Sequence, residues 1–150
     1  MKHETVLVLD FGGQYNELIA RRVRDLGVYC EVHPYKKALE KIKELCPIGI
    51  IFTGGPNSVY EEGAPKVDPA VFHQGLPILG LCYGLQMMSQ VLGGEVKSAP
   101  TREFGKTPVR YDTESLLFKG MPQEAICWMS HVDYVSRLPE GFTAICHTAA

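Results

Sequence analysis

The feature that most constrains this chain is a series of short, nearly continuous apolar runs separated by stretches of helix length. Thr5-Val6-Leu7-Val8-Leu9-Asp10 is read as a strand covered on both faces and Ile48-Gly49-Ile50-Ile51-Phe52 as another buried strand, with Val28 to Val32 and Pro77-Ile78-Leu79-Gly80-Leu81 as the second and fourth strands. Between them lie helical stripes. Tyr15, Leu18, Ile19, Val23 and Leu26 share one face, with Gly27 placed as the residue that ends the helix. Ala38, Leu39, Ile42 and Leu45 form a second stripe, stopped by Pro47, and Gly84 to Leu92 a third, closed by Gly93-Gly94. Pro69 to Gln74 has the character of a short helix. Strands alternating with helices predict an α/β fold: three layers, a flavodoxin-like, mostly parallel sheet with helices on both faces.

After Gly94 the pattern changes. Gly105 to Tyr111, Ala125 to Ser130 and Phe142 to His147 read as strands joined by polar loops, with Glu114 to Phe118 helical. This predicts an antiparallel C-terminal extension, continuing the first sheet. With no repeat, low-complexity tract or linker, residues 1–150 are read as one domain.

Several function classes fall away on composition. Fifteen Lys and Arg against 17 Asp and Glu give a net charge of −2, which offers no electrostatic footprint for nucleic acid or an anionic membrane. The densest basic run, Arg21-Arg22-Val23-Arg24, falls on a helical stripe and is read as a solvated face. No apolar stretch approaches the roughly 20 residues of a spanning helix, and the N-terminus has no signal-peptide pattern. Five cysteines, odd in number and without a C-x-x-C pair, point to reduced thiols in a cytoplasmic setting and to no metal site.

The chemistry concentrates in Gly80-Leu81-Cys82-Tyr83-Gly84, a G-x-nucleophile-x-G sequence at the meeting of a buried strand and a helix. A sharp strand-to-helix turn forces its central residue into a strained conformation, and glycines two positions to either side relieve the crowding. Cys82 then stands at a helix N-terminus, whose partial positive charge favours the thiolate. The Tyr83 N–H points to where an oxyanion would form. A cysteine among apolar residues is most often core; Cys30 and Cys127 in strand-like runs, Cys46 at a helix end and Cys146 in the last strand are all read as structural. Only Cys82 has the flanking glycines.

A second oxyanion donor is expected from Thr53-Gly54-Gly55-Pro56, where a glycine pair after a buried strand lets backbone N–H groups approach a ligand. That loop is not an ATP-pyrophosphatase phosphate loop, which needs Asp-Ser after the glycines. Asp10-Phe11-Gly12-Gly13-Gln14 lacks the G-x-G-x-x-G fingerprint and is assigned little chemistry of its own. Among the histidines, His131 follows a strand-like run and has Asp133 two residues on. Cys82, His131 and Asp133 therefore form one candidate nucleophile, base and orienting set, and a histidine that only shapes the pocket is the other reading.

Taken together, these residues resemble the class I glutamine amidotransferase domain of the GMP synthetase family. The resemblance spans nearly the whole chain. It rests on Leu9-Asp10-Phe11-Gly12-Gly13-Gln14-Tyr15, Ile19 to Arg24, Gly54-Gly55-Pro56-Asn57-Ser58-Val59-Tyr60, Gly80 to Gln86, Arg102-Glu103-Phe104-Gly105 and Trp128-Met129-Ser130-His131. It implies that Cys82 attacks the side-chain amide of glutamine, with the N–H groups of Gly55 and Tyr83 as the oxyanion hole. Gln86, Ser130, Val132 and Asp133 match substrate-binding positions. No cofactor is implied for this domain. ATP and magnesium are implied for a synthetase partner, a domain or separate chain that takes the ammonia to aminate xanthosine monophosphate, and a homodimer of the complete enzyme is compatible with the family.

Two departures stand out. Val132 occupies a position where the family usually has Gly. The family's catalytic His and Glu lie in a Phe-His-Pro-Glu segment that this sequence does not contain, so the resemblance implies a domain incomplete at its C-terminal end, with His131 not the base and little turnover by these 150 residues alone. Two other functions stay open at this point: a glutamine-sensing or interaction module with little catalysis, and a flavodoxin-like nucleotide binder.

Overall fold

In a computed structural model, which describes residues 3–149 and only the backbone of 101–103, the first four apolar runs pair as one parallel sheet. The strands are β1 (Thr5–Asp10), β2 (Tyr29–Pro34), β3 (Gly49–Phe52) and β4 (Ile78–Gly80), in the spatial order β2-β1-β3-β4. The helices are α1 (Asn16–Asp25), α2 (Ala38–Leu45) and α3 (Tyr83–Val91), and Pro69–His73 is a short 3-10 helix. Connection handedness is fixed, so the reversal of direction between β1→β2 and β2→β3 places α1 and α2 on opposite faces of the sheet.

Side-chain alternation agrees. Val6, Val8, Cys30, Val32 and Ile51 pack with Ala20, Ile19 and Val23 of α1. Leu7, Leu9, Ile50 and Phe52 point the other way and are buried. On that side the Phe52 ring meets Phe72 edge-on at 5.7 Å and Phe11 at 5.7 Å. Helix α1 ends as expected: Gly27 adopts a φ of +78° and its N–H donates to the Arg24 carbonyl at 2.8 Å. Helix α2 ends with Cys46 in the left-handed region just before Pro47. Arg21, Arg22 and Arg24 lie on an exposed face, as predicted.

The chain divides into two compact units, one through Leu92 and one from Gly93. The second unit holds β5 (Glu95–Tyr111), β6 (Glu124–Arg137) and β7 (Cys146–His147) as an antiparallel sheet of order β6-β5-β7, hydrogen-bonded separately from the parallel one. Both long strands exceed their sequence-derived bounds. Glu114 to Phe118 is not helical. Asp112 instead organises tight turns there, its carboxylate accepting from the Glu114 N–H at 3.0 Å and its carbonyl from the Ser115 hydroxyl at 2.6 Å. Of Phe142 to His147 only the last two residues are strand, paired with Arg110 and Tyr111. The side chains of Arg102 and Glu103 lie outside the described residues. No helix among the described residues is long and apolar enough to cross a membrane.

Two glycines allow α3 to start against the sheet. A Cβ at Gly84 would sit 2.5 Å from the Phe52 carbonyl oxygen and 2.6 Å from Phe52 Cβ, and one at Gly80 would sit 2.8 Å from Leu85 Cα. Both obstacles are backbone or side-chain root, which cannot swing aside. Gly84→Ala is therefore expected to destabilise the protein by about 1–3 kcal/mol, read as a lower urea midpoint at unchanged m-value. An unaltered midpoint would contradict this close approach.

Candidate active site

Reversal of strand order between β1 and β3 opens a crevice at the carboxyl ends of these strands, the usual ligand position in open α/β sheets. A cavity of about 370 Å³ occupies that crevice. Three loops wall it: Gly12 to Tyr15 after β1, Gly54 to Pro56 after β3, and Leu81-Cys82 after β4, with Ile19 of α1 at one side.

Cys82 is the residue before α3, exposed, with φ +53° and ψ −118°. Among the described residues, only Cys46 shares with it a positive φ outside glycine. The strain predicted for the elbow is present. Its backbone is held from both sides: the Leu81 N–H donates to the Phe52 carbonyl at 2.9 Å, the Gly84 N–H to the Thr53 carbonyl at 3.0 Å, and the Gln86 N–H to the Cys82 carbonyl at 3.2 Å. The thiol thus stands at the opening of a helix, aimed by the sheet.

Gly54 lies beside this thiol, and Gly55 is packed tightly against Phe11. A Cβ at Gly54 would lie 3.6 Å from Cys82 Cβ and 3.9 Å from Sγ, and one at Gly55 would lie 2.7 Å from the Phe11 carbonyl oxygen. Any side chain here would fill the space beside the sulfur or push β3's loop off β1's. Among the described residues, no backbone carbonyl accepts from the N–H of Gly55 or Tyr83.

The Tyr83 side chain is a buried anchor. Its ring packs on Phe11 at 5.8 Å, and its hydroxyl donates to the Pro65 carbonyl. Burial first, then Tyr35 and Glu61, pushes its phenol up to about 12. What Tyr83 can offer beside Cys82 is its N–H. Gln86 lies one turn into α3, half-buried.

Gly55, Cys82, Tyr83 and Gln86 belong to the first unit, and Ser130, His131, Val132 and Asp133 to the second. The latter four lie inside β6, so His131 does not follow a strand but sits within one. Ser130 is exposed opposite Phe104, Asp133 stands opposite Ser98, and the register breaks between Ser98 and Glu103, beside Val132. His131, Val132 and Asp133 are half-buried.

The sequence reading missed the wall made by Gly12, Gly13, Gln14 and Tyr15. Its signal was available: a glycine pair directly after the first strand, the same device as Gly54-Gly55. Strand order, which periodicity does not reveal, decides that the two loops are neighbours.

Similarity to known proteins follows the same lines. Residues 7–150 match the family model for glutamine amidotransferase class-I. The chain is 62% identical over 148 residues to a GMP synthase [glutamine-hydrolyzing] of Caldicellulosiruptor saccharolyticus, a match covering 99% of this chain and 29% of that protein. It is also 62% identical over 145 residues to the Finegoldia magna protein of the same name, covering 97% of this chain and 28% of the relative. The crystal structure of a GMP synthase component from Thermoplasma acidophilum superposes with a TM-score of 0.85 at 30% identity, over 98% of this chain and 74% of that one. The chain thus spans under a third of the curated relatives' length.

Two outcomes follow from the elbow. Cys82→Gly should be more stable than Cys82→Ala by about 1–3 kcal/mol, because only glycine occupies this φ and ψ without strain. Equal denaturation midpoints would show that the strain is absent. For Tyr83, a folded-state phenol at about 12 against an ordinary 10.0 means the native state holds the proton more tightly. Its stabilising contribution is complete below the ordinary value and lost as pH rises towards about 12. In alkaline denaturation, Tyr83→Phe should show a shallower fall over that window, and an identical slope would contradict the burial account.

Proposed function

Because the chain belongs to the class I glutamine amidotransferase family, we propose that it hydrolyses glutamine to glutamate and ammonia with Cys82 as the nucleophile. The observation that carries this is the strained Cys82 at the mouth of a cavity walled by the Gly54-Gly55 loop. The thiolate adds to the side-chain carboxamide carbon, and the negative charge that develops on its oxygen is met by the N–H groups of Gly55 and Tyr83. Preformed donors of this kind are worth about 10²–10³ in rate each, because they need no reorganisation as charge appears. Collapse expels ammonia, and water cleaves the resulting glutamyl thioester.

Gln86, Ser130, Val132 and Asp133 are the proposed substrate-binding residues. The departing nitrogen needs a proton donor. The family resemblance assigns that part to the His of a Phe-His-Pro-Glu segment, which is not in this sequence. The ammonia serves the conversion of xanthosine monophosphate to GMP in a synthetase part of the larger enzyme, working with ATP and magnesium in the cytoplasm. We assign ATP and magnesium to that synthetase part; among the described residues no three His, Cys, Asp or Glu side chains converge as a metal-ion cluster. No step in this chain passes through that group.

Selective labelling tests the nucleophile. A glutamine-like electrophile should modify Cys82 and spare Cys46 and Cys146, which are exposed too, as well as Cys30 and Cys127. Peptide mapping reads the outcome, and labelling spread over the exposed thiols would overturn the proposal.

A further inference from the structure

We infer that Asn16 is a positioning residue for this chemistry, locking the loops after β1 and β3 and the elbow into one arrangement through Thr53. The inference rests on the function proposed above. Asn16 opens α1 and is buried, although an asparagine at that depth must be fully hydrogen-bonded to be tolerated. It is. Its Nδ2 donates to Asp10 Oδ1 at 2.6 Å and to the Gly13 carbonyl at 3.1 Å, and its Oδ1 accepts from the Thr53 hydroxyl. That hydroxyl, itself 1% exposed, also lies 2.8 Å from the Leu9 carbonyl. Asp10 Oδ1 further accepts from the Gly12 N–H at 2.6 Å.

Each of these bonds ends on a segment that walls the cavity or on its immediate neighbour. Gly12 and Gly13 form one wall, Thr53 leads directly into Gly54-Gly55, and the Thr53 carbonyl holds the Gly84 N–H of the elbow. Asn16 itself does not line the cavity, so it acts through these neighbours and not on substrate. A satisfied buried polar network has essentially one geometry, whereas apolar residues of similar size would leave the loops free to slide. The oxyanion donor on Gly55 and the sulfur of Cys82 must agree to within a fraction of an ångström, and this network joins their carriers.

The test separates position from fold. Thr53→Val keeps shape and removes the hydroxyl, Thr53→Ser keeps the hydroxyl, and Asn16→Leu removes both amide functions. The probe is a chloroketone analogue of glutamine, whose carbonyl becomes an oxyanion when the thiolate adds. Iodoacetamide, which alkylates the same thiol without forming an oxyanion, is the reference. Folding is verified by circular dichroism.

In Thr53→Val and Asn16→Leu the maximal inactivation rate should fall about tenfold or more, with the half-saturating concentration and the iodoacetamide rate changed less than about threefold. Thr53→Ser should return the rate to near that of the unaltered protein. Unchanged inactivation in the folded variants, an equal loss towards iodoacetamide, or no rescue by serine would overturn the inference and leave the function standing. Failure of the chloroketone to label Cys82 in the unaltered protein would instead overturn the function, and the inference with it.

Discussion

Phe52 and Thr53 carry the start of α3 on two backbone hydrogen bonds, from Leu81 N–H and Gly84 N–H, and Gly84 lies so close that no side chain fits between. The geometry of the turn at Cys82 depends on this contact. Moving α3 away by the width of a methyl group would relax the turn at Cys82 and withdraw the helix N-terminus from the thiol. The sheet beneath is stiff because its centre is buried on both faces, with Leu7, Leu9, Ile50 and Phe52 on one and Val8 and Cys30, packed on Ala20 of α1, on the other. Packing energy gained throughout the core thus offsets the local strain held at one residue.

Parallel strands buried on two faces leave uninterrupted apolar runs, which is why β1 and β3 were legible to within a residue. β4, whose Leu79 is exposed, and the helices were legible to within one or two residues from their apolar spacing and glycine boundaries. The second unit was less so. β5 contains Pro100, Gly105 and Pro108, all of which argue against a continuous strand by local rules. The strand nonetheless runs through seventeen residues, because β6 supplies a long antiparallel partner and the pairing skips between Ser98 and Glu103. Glu114 to Phe118 reads as helical but forms successive turns, the Ser115 N–H bonding to the Asp112 carbonyl and the Phe118 N–H to the Ser115 carbonyl.

The candidate site divides along the same line. Cys82 was readable because two glycines at fixed offsets report a steric problem that only one local geometry solves. Gly54-Gly55 was readable for the same reason, since small residues after a strand mark a close approach. The buried pairing of Asn16 with Thr53 joins residues 37 positions apart. Neither residue carries a local signature, and only the strand order makes them neighbours. Polar residues inside a core are hard to anticipate from one sequence, because their partners define them.

The three loops around the cavity follow three separate strands of the sheet. Cys82 rides on the β4–α3 turn, the glycine pair on the loop after β3, and Gly12 to Tyr15 on the loop after β1. Such a division of labour has an evolutionary consequence. Gln14 and Tyr15 can be exchanged, or their loop lengthened, without touching the turn that strains Cys82. Selection can therefore retune what enters or leaves the crevice while the strained turn beneath it is inherited unchanged.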